Sequence, residues 1–167
     1  MTNALELFPV PLTRRAFAPY GDVIDTNGIR PLAINEGTTE RFNDLADVDV
    51  CRDDGRPLIS IFRGQPRPLP IDIRMMERHP LASQAFIPLQ NQPWLIVVAK
   101  PSENVEVTDL RAFRATGKQG INYRPGVWHH PLLVLRPDQD FLVVDRGGPG
   151  VNCDEIRFDG AGAHLKG

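Results

Sequence analysis

Glycine and proline interrupt this chain roughly every ten residues, and that punctuation constrains the fold more than any other feature. There are 14 glycines and 16 prolines among 167 residues, about 18% against a usual ~12%, spread along the chain rather than gathered in one tract. Between them lie short apolar or alternating runs: Leu58–Phe62, Leu69–Ile73, Gln84–Leu89, Trp94–Ala99, Leu132–Leu135 and Phe141–Val144. No amphipathic 12-residue helix separates them, so βαβ units are excluded and an all-β sandwich or barrel of antiparallel strands is expected.

Helices are expected only at the periphery. Thr13 is placed to cap a turn or two ending at Phe17, before Pro19 and Gly21, and Val107–Phe113 suggests another turn capped by Thr108. The first 55 residues carry weaker strand signals and are expected to wrap the outside of the barrel or to supply strands to a partner subunit. One domain over residues 1–167 is expected, since no linker or repeat divides the chain.

Nineteen basic residues stand against 21 acidic ones with no block of like charge, which argues against nucleic-acid or anionic-membrane partners and for a small molecule or another protein. The N-terminal segment lacks the basic and apolar regions of a signal peptide, so a cytoplasmic location is expected. Cys51 and Cys153 are isolated and are expected to be reduced structural thiols.

Of four histidines, three fall in two clusters, Glu77-Arg78-His79-Pro80 and Trp128-His129-His130-Pro131. On a strand Glu77 and His79 share one face, while His129 and His130 point to opposite faces. His129 is then the one that enters the barrel and His130 a structural residue, with Trp128 on the outer side. His164, in a Gly/Ala-rich tail, is expected to lie outside the ordered fold. Gly126-Val127-Trp128-His129 has the GxxH spacing of the second half-motif of cupin barrels. Glu77-x-His79 followed by Gln84 occupies the frame of the first, with Glu77 in place of the first histidine and Gln84 in place of the acidic residue. A cupin-like antiparallel β-barrel or jelly roll, its mouth lined by His, Glu and Gln, follows from that similarity.

Longer stretches narrow the resemblance. Glu77-Arg78-His79-Pro80-Leu81-Ala82-Ser83-Gln84-Ala85-Phe86-Ile87-Pro88, Gly120–Tyr123, Val127–Leu132, Asp145-Arg146-Gly147-Gly148 and Asn152-Cys153-Asp154 resemble the ureidoglycolate lyase family. So do Ala16–Ile24 and Ile59–Arg63, and the similarity spans nearly the whole chain. It implies a cytoplasmic, cupin-like homodimer that splits ureidoglycolate into glyoxylate and urea.

That cleavage is an elimination. A base takes the hydroxyl proton, a donor helps the ureido nitrogen leave, and a cation holds the carboxylate. With the motif positions as guide, His79 or His129 is the expected base. Glu77 is expected to orient an imidazole or share the acid–base role, Gln84 to hydrogen-bond the ureido group or carboxylate, Arg63 to clamp the carboxylate, and Tyr123 to line the pocket or simply to fill space. Asp145-Arg146 suggests a structural ion pair or a brace for the site. No cofactor is required by this chemistry, although Glu77, His79 and His129 could form a facial triad for a divalent ion. The alternatives are a hydrolase releasing ammonia and carbon dioxide, a metal-dependent cupin oxygenase or isomerase, and a non-catalytic binding cupin.

Overall fold

A computed structural model describes residues 4–160 and 162–167, and short strands dominate it. In chain order they are β1 (Leu5–Leu7), β2 (Val10–Pro11), β3 (Gly21–Ile24), β4 (Leu32–Ile34), β5 (Thr39–Arg41), β6 (Arg56–Gly64), β7 (Ile71–Ile73), β8 (Met75–Arg78) and β9 (Gln84–Pro88). There follow β10 (Trp94–Ala99), β11 (Arg111–Ala115), β12 (Gly120–Tyr123), β13 (Trp128–His129), β14 (Leu133–Val134), β15 (Gln139–Gly147), β16 (Asp154–Arg157) and β17 (Ala163–Leu165). A single turn of helix, α1 (Arg14–Phe17), lies between β2 and β3, and the Thr13 hydroxyl accepts from the Ala16 N–H at 3.2 Å to cap it.

The strands form three layers. A seven-stranded sheet, β16-β8-β13-β10-β11-β2 with β14 also on β10, faces a five-stranded sheet, β3-β12-β9-β15-β6. Between them lies one apolar core, which includes Trp94, Ile96 and Val98 of β10, Phe86 of β9, Ile121 and Tyr123 of β12, and Phe141 and Val143 of β15. A three-stranded sheet, β1-β17-β7, covers the outer side of the seven-stranded one, burying Leu95, Val97 and Ala99 of β10 against Ile71, Ile73 and Leu165. Strand β10 is thus buried on both faces, and its unbroken apolar run Trp-Leu-Ile-Val-Val-Ala is the sequence form of that position.

The all-β expectation holds, and two sheets facing each other over an apolar interior are consistent with a cupin-like barrel. Pairing is mostly antiparallel, although β1 runs parallel to β17 and β2 parallel to β11. The first 55 residues supply edge strands to all three sheets of this same chain and one exposed hairpin, β4–β5.

Four expectations are corrected. Val107–Phe113 is not helical throughout: only Val107–Asp109 turns, as a 3-10 helix whose N-cap is Glu106 rather than Thr108. The Asp109 carboxylate accepts from the Glu106 N–H at 2.9 Å. Strand β11 then begins at Arg111, where Ala112 and Phe113 are drawn into the two cores. His164 lies in β17, whose Ala163 and Leu165 are fully buried, and its Nε2 stands 3.2 Å from Asp72. His79 lies one residue past β8, so its direction is set by a loop, not by strand parity. Finally, three steps along β10 from Val98 to Leu95 face four from His129 to Leu133, the extra residue of a β-bulge. The bulge overrides simple alternation, and His130 is buried beside Phe86, Trp94 and Tyr123 instead of pointing away from the interior.

Candidate active site

Two turns bring the histidine clusters together. Pro125 and Gly126 occupy the centre of a turn closed by the Val127 N–H to the Arg124 carbonyl at 3.2 Å, and Gly126 has φ 77°, which a side chain would strain. The Gly126 N–H donates to the His79 carbonyl at 2.9 Å, tying the loop after β8 to the turn before β13. Strand pairing then sets His129 opposite both Val98 and Glu77. The imidazoles of His79 and His129 lie 5.1 Å apart between centroids, and the Tyr123 ring stacks on His129 at 4.2 Å.

Both imidazoles have their tautomers fixed by backbone. His79 Nδ1 is 2.7 Å from the Asn152 carbonyl and His129 Nδ1 is 3.1 Å from the Val127 carbonyl. A carbonyl only accepts, so each Nδ1 carries the proton and each Nε2 presents a lone pair. Among the described residues neither Nε2 has a hydrogen-bond partner, although His129 Nε2 is 3.4 Å from Glu77 Oε1. Burial pushes the His129 pKa below the ordinary imidazole range, against the pull of Glu77. Burial raises the Glu77 carboxyl, but His129, His79 and His130 together outweigh it and hold its pKa below the usual carboxylate value. At neutral pH the cluster therefore holds an ionised Glu77 carboxylate against a neutral His129.

One ligand atom each from Glu77, His79 and His129 lie within 4.8 Å of one another. Two buried lone pairs and a carboxylate without a shared proton form a donor set that suits a divalent cation. The residues present therefore fit such an ion.

Beside the cluster opens a cavity of about 280 Å³ lined by His79, Ser83, Gln84, Asp145, Arg146, Asn152 and Cys153. Gln84 and Asp145 reach it from adjacent strands, in the same alternation as the core residues Phe86, Phe141 and Val143. Larger cavities, of about 490 and 440 Å³, lie elsewhere, one along Pro9, Pro11 and Pro93 and one along Tyr20, Lys100 and Arg111. The smaller cavity is the chemical one, because His79 Nε2, Gln84 Oε1 and Asp145 Oδ1 all lack partners there.

Arg146 is the residue that sequence reasoning undervalued. It does not pair with Asp145. Its Nε donates to the Arg52 carbonyl at 3.1 Å, and its Nη2 to the carbonyls of Asp53 and Pro149, both at 2.9 Å. These bonds fix a buried guanidinium without using Nη1, and the residue is among those that line the cavity. Arg63, expected as the carboxylate clamp, is not brought to the cluster. Its exposed side chain forms a bidentate pair with Asp140 at 2.7 and 2.9 Å, at the opposite end of β15 from Asp145. Tyr123 contributes a ring rather than an acid: burial raises its phenol far above the ordinary range. Cys153 is exposed rather than structural, and burial together with Glu77, Glu155 and Asp154 raises its pKa, so it stays a thiol.

Two imidazoles with unpartnered Nε2 atoms beside an ionised carboxylate, next to a small polar cavity that His79 shares with Arg146, define an all-β protein with one compact candidate active site. The family model described as ureidoglycolate lyase matches residues 4–164, and the chain belongs to that family. It is 57% identical over 152 residues to the ureidoglycolate lyase of Burkholderia cepacia, covering 91% of this chain and 86% of that protein. Against the ureidoglycolate lyase of Burkholderia mallei (strain NCTC 10229) identity is 57% over 145 residues, covering 87% and 85%. The corresponding protein of Pseudomonas syringae pv. tomato (strain ATCC BAA-871 / DC3000) is 54% identical over 149 residues, covering 89% and 88%. Among the described residues no helix is long and apolar enough to cross a membrane.

Proposed function

We propose that this chain eliminates urea from ureidoglycolate to give glyoxylate, with His79 as the base. The observation that carries this is the unpartnered Nε2 of His79 in a cavity that Arg146 also lines. Arg146 holds the substrate carboxylate. His79 Nε2 takes the hydroxyl proton, the carbonyl of glyoxylate forms, and the carbon–nitrogen bond breaks with its electron pair going to the ureido nitrogen. The imidazolium of His79 returns the proton to that nitrogen, releasing urea and restoring the enzyme. Ionised Glu77 stabilises the imidazolium between the two transfers.

A second reading is favoured by the paired lone pairs of His79 and His129 beside Glu77. These residues would hold a divalent ion, which would supply Lewis-acid polarisation of a substrate oxygen. His79 would then serve as ligand, leaving Arg146, Gln84 and Ser83 to orient the substrate.

A cytoplasmic homodimer completes the proposal. The dimer is supported by the outer face of the five-stranded sheet, where Ile59 and Ile61 are 75% and 54% exposed, next to half-buried Leu142 and Val144.

The test is product analysis of purified protein on ureidoglycolate before and after chelation, with metal content measured on the same sample. Glyoxylate with equimolar urea, unchanged by chelator, is expected for His79 as base. Activity lost on chelation and restored by one divalent metal establishes the ion, whereas ammonia without urea replaces the lyase by a hydrolase.

A further inference from the structure

Gln84 and Asp145 leave an unusual residue of hydrogen-bonding capacity in the cavity wall. Gln84 Nε2 donates to Asp145 Oδ2 at 3.3 Å, which fixes the orientation of the amide. Gln84 Oε1 and Asp145 Oδ1 remain as buried acceptors without partners among the described residues. Gln84 is 6% exposed, and neither side chain is needed to hold the sheets, whose pairing here is backbone to backbone. Turning the amide over would leave its N–H2 unpaired instead, so no rearrangement of the pair alone satisfies both oxygens. Buried acceptors that lack donors are costly, and here they face a cavity that already contains the proposed base.

We infer that Gln84 Oε1 and Asp145 Oδ1 form the subsite that reads the terminal amino group of the ureido moiety, and that Asp145 sets specificity for it. This rests on the lyase assignment above. A terminal NH2 offers two N–H donors, which match two acceptors in one wall. A carboxylate at this position also repels the substrate carboxylate, which is thereby directed to Arg146, also on this cavity. The two charges allow one orientation of an otherwise small substrate, with its hydroxyl presented to His79.

The probe is α-hydroxy-N-acetylglycine, in which a methyl group replaces the terminal NH2 with nearly the same shape and which releases glyoxylate and acetamide by the same elimination. Glyoxylate release from it and from ureidoglycolate is measured for the wild type and for Asp145→Asn, with the uncatalysed rates subtracted. The wild type is expected to prefer ureidoglycolate roughly 10- to 100-fold in kcat/KM, mainly through KM. Asp145→Asn is expected to slow both compounds, whose carboxylate it helps to orient, but to slow ureidoglycolate by a further ~10-fold, so that the preference shrinks. Equal rates of the wild type on both compounds overturn the subsite, as does an equal loss on both compounds in the variant. The wild-type comparison stands alone if the variant fails to fold. No glyoxylate from either compound overturns the lyase assignment and the subsite with it.

Discussion

The space between the two main sheets has two ends built from the same strands, and unpartnered polar atoms gather at one of them, against Gln139 Oε1 alone beside the aromatic cluster at the other. At one end Trp94 of β10 meets Phe141 of β15 edge-to-face at 4.8 Å, with Phe86 of β9 6.4 Å from Phe141. The Trp94 indole N–H there is satisfied by the Gln119 carbonyl at 3.1 Å. Further along β9 and β15 the inward positions become Gln84 and Asp145, and with His79 and His129 they leave four polar atoms unpartnered. The closed end is packed to hold the sheets together; the open end gives up that satisfaction, and a ligand is what can restore it.

Substitutions at the two ends should therefore separate stability from activity. The largest loss of stability is expected at the closed end, where Phe141→Ala removes a fully buried ring and costs about 3–5 kcal/mol, read by denaturant titration. His79→Ala at the open end should lower kcat by ~10²–10⁴-fold with little change in the denaturation midpoint. A comparable loss of stability would make His79 a structural residue instead.

Acid tests the boundary between the ends. Burial lowers the His130 pKa to about 4, below the ordinary imidazole value of about 6.5. The unfolded chain thus binds a proton that the folded one refuses, so stability is complete above about pH 6.5 and falls as the pH drops towards 4. The loss from His130 alone is on the order of 3 kcal/mol, and His130→Gln should flatten that part of the stability–pH curve. The smallest effect is expected from Arg63→Ala, which leaves kcat and KM unchanged because Asp140, not the cavity, holds that side chain. A raised KM would instead mean that Arg63 reaches the site of a neighbouring copy.

Much of this was legible in the chain. The apolar run of β10 and the alternation of β9 reflect local burial, and the Glu77-x-His79 and Gly126-x-x-His129 frames identify residues that do converge. What escaped depends on distant partners. Strand β17 has three residues and is stabilised by pairing with β1 and β7, far away in sequence. The bulge that turns His130 inward is set by the β10 register. Asp145-Arg146 resembles a local ion pair, yet Arg146 is held by the carbonyls of Arg52 and Asp53, and Asp145 by Gln84. Arg63 was misplaced for the same reason, since nothing near it in sequence announces Asp140.

The bond from the Gly126 amide to the His79 carbonyl makes a clasp of two otherwise separate loops. When it opens, the backbone behind one imidazole is released together with the turn that leads to the other. The two histidines thus share one backbone tether, and opening it is expected to loosen both sides of the site together. In hydrogen–deuterium exchange the Gly126 amide should then behave as a reporter of the whole pocket, slowed by whatever molecule fills it although that molecule never touches it.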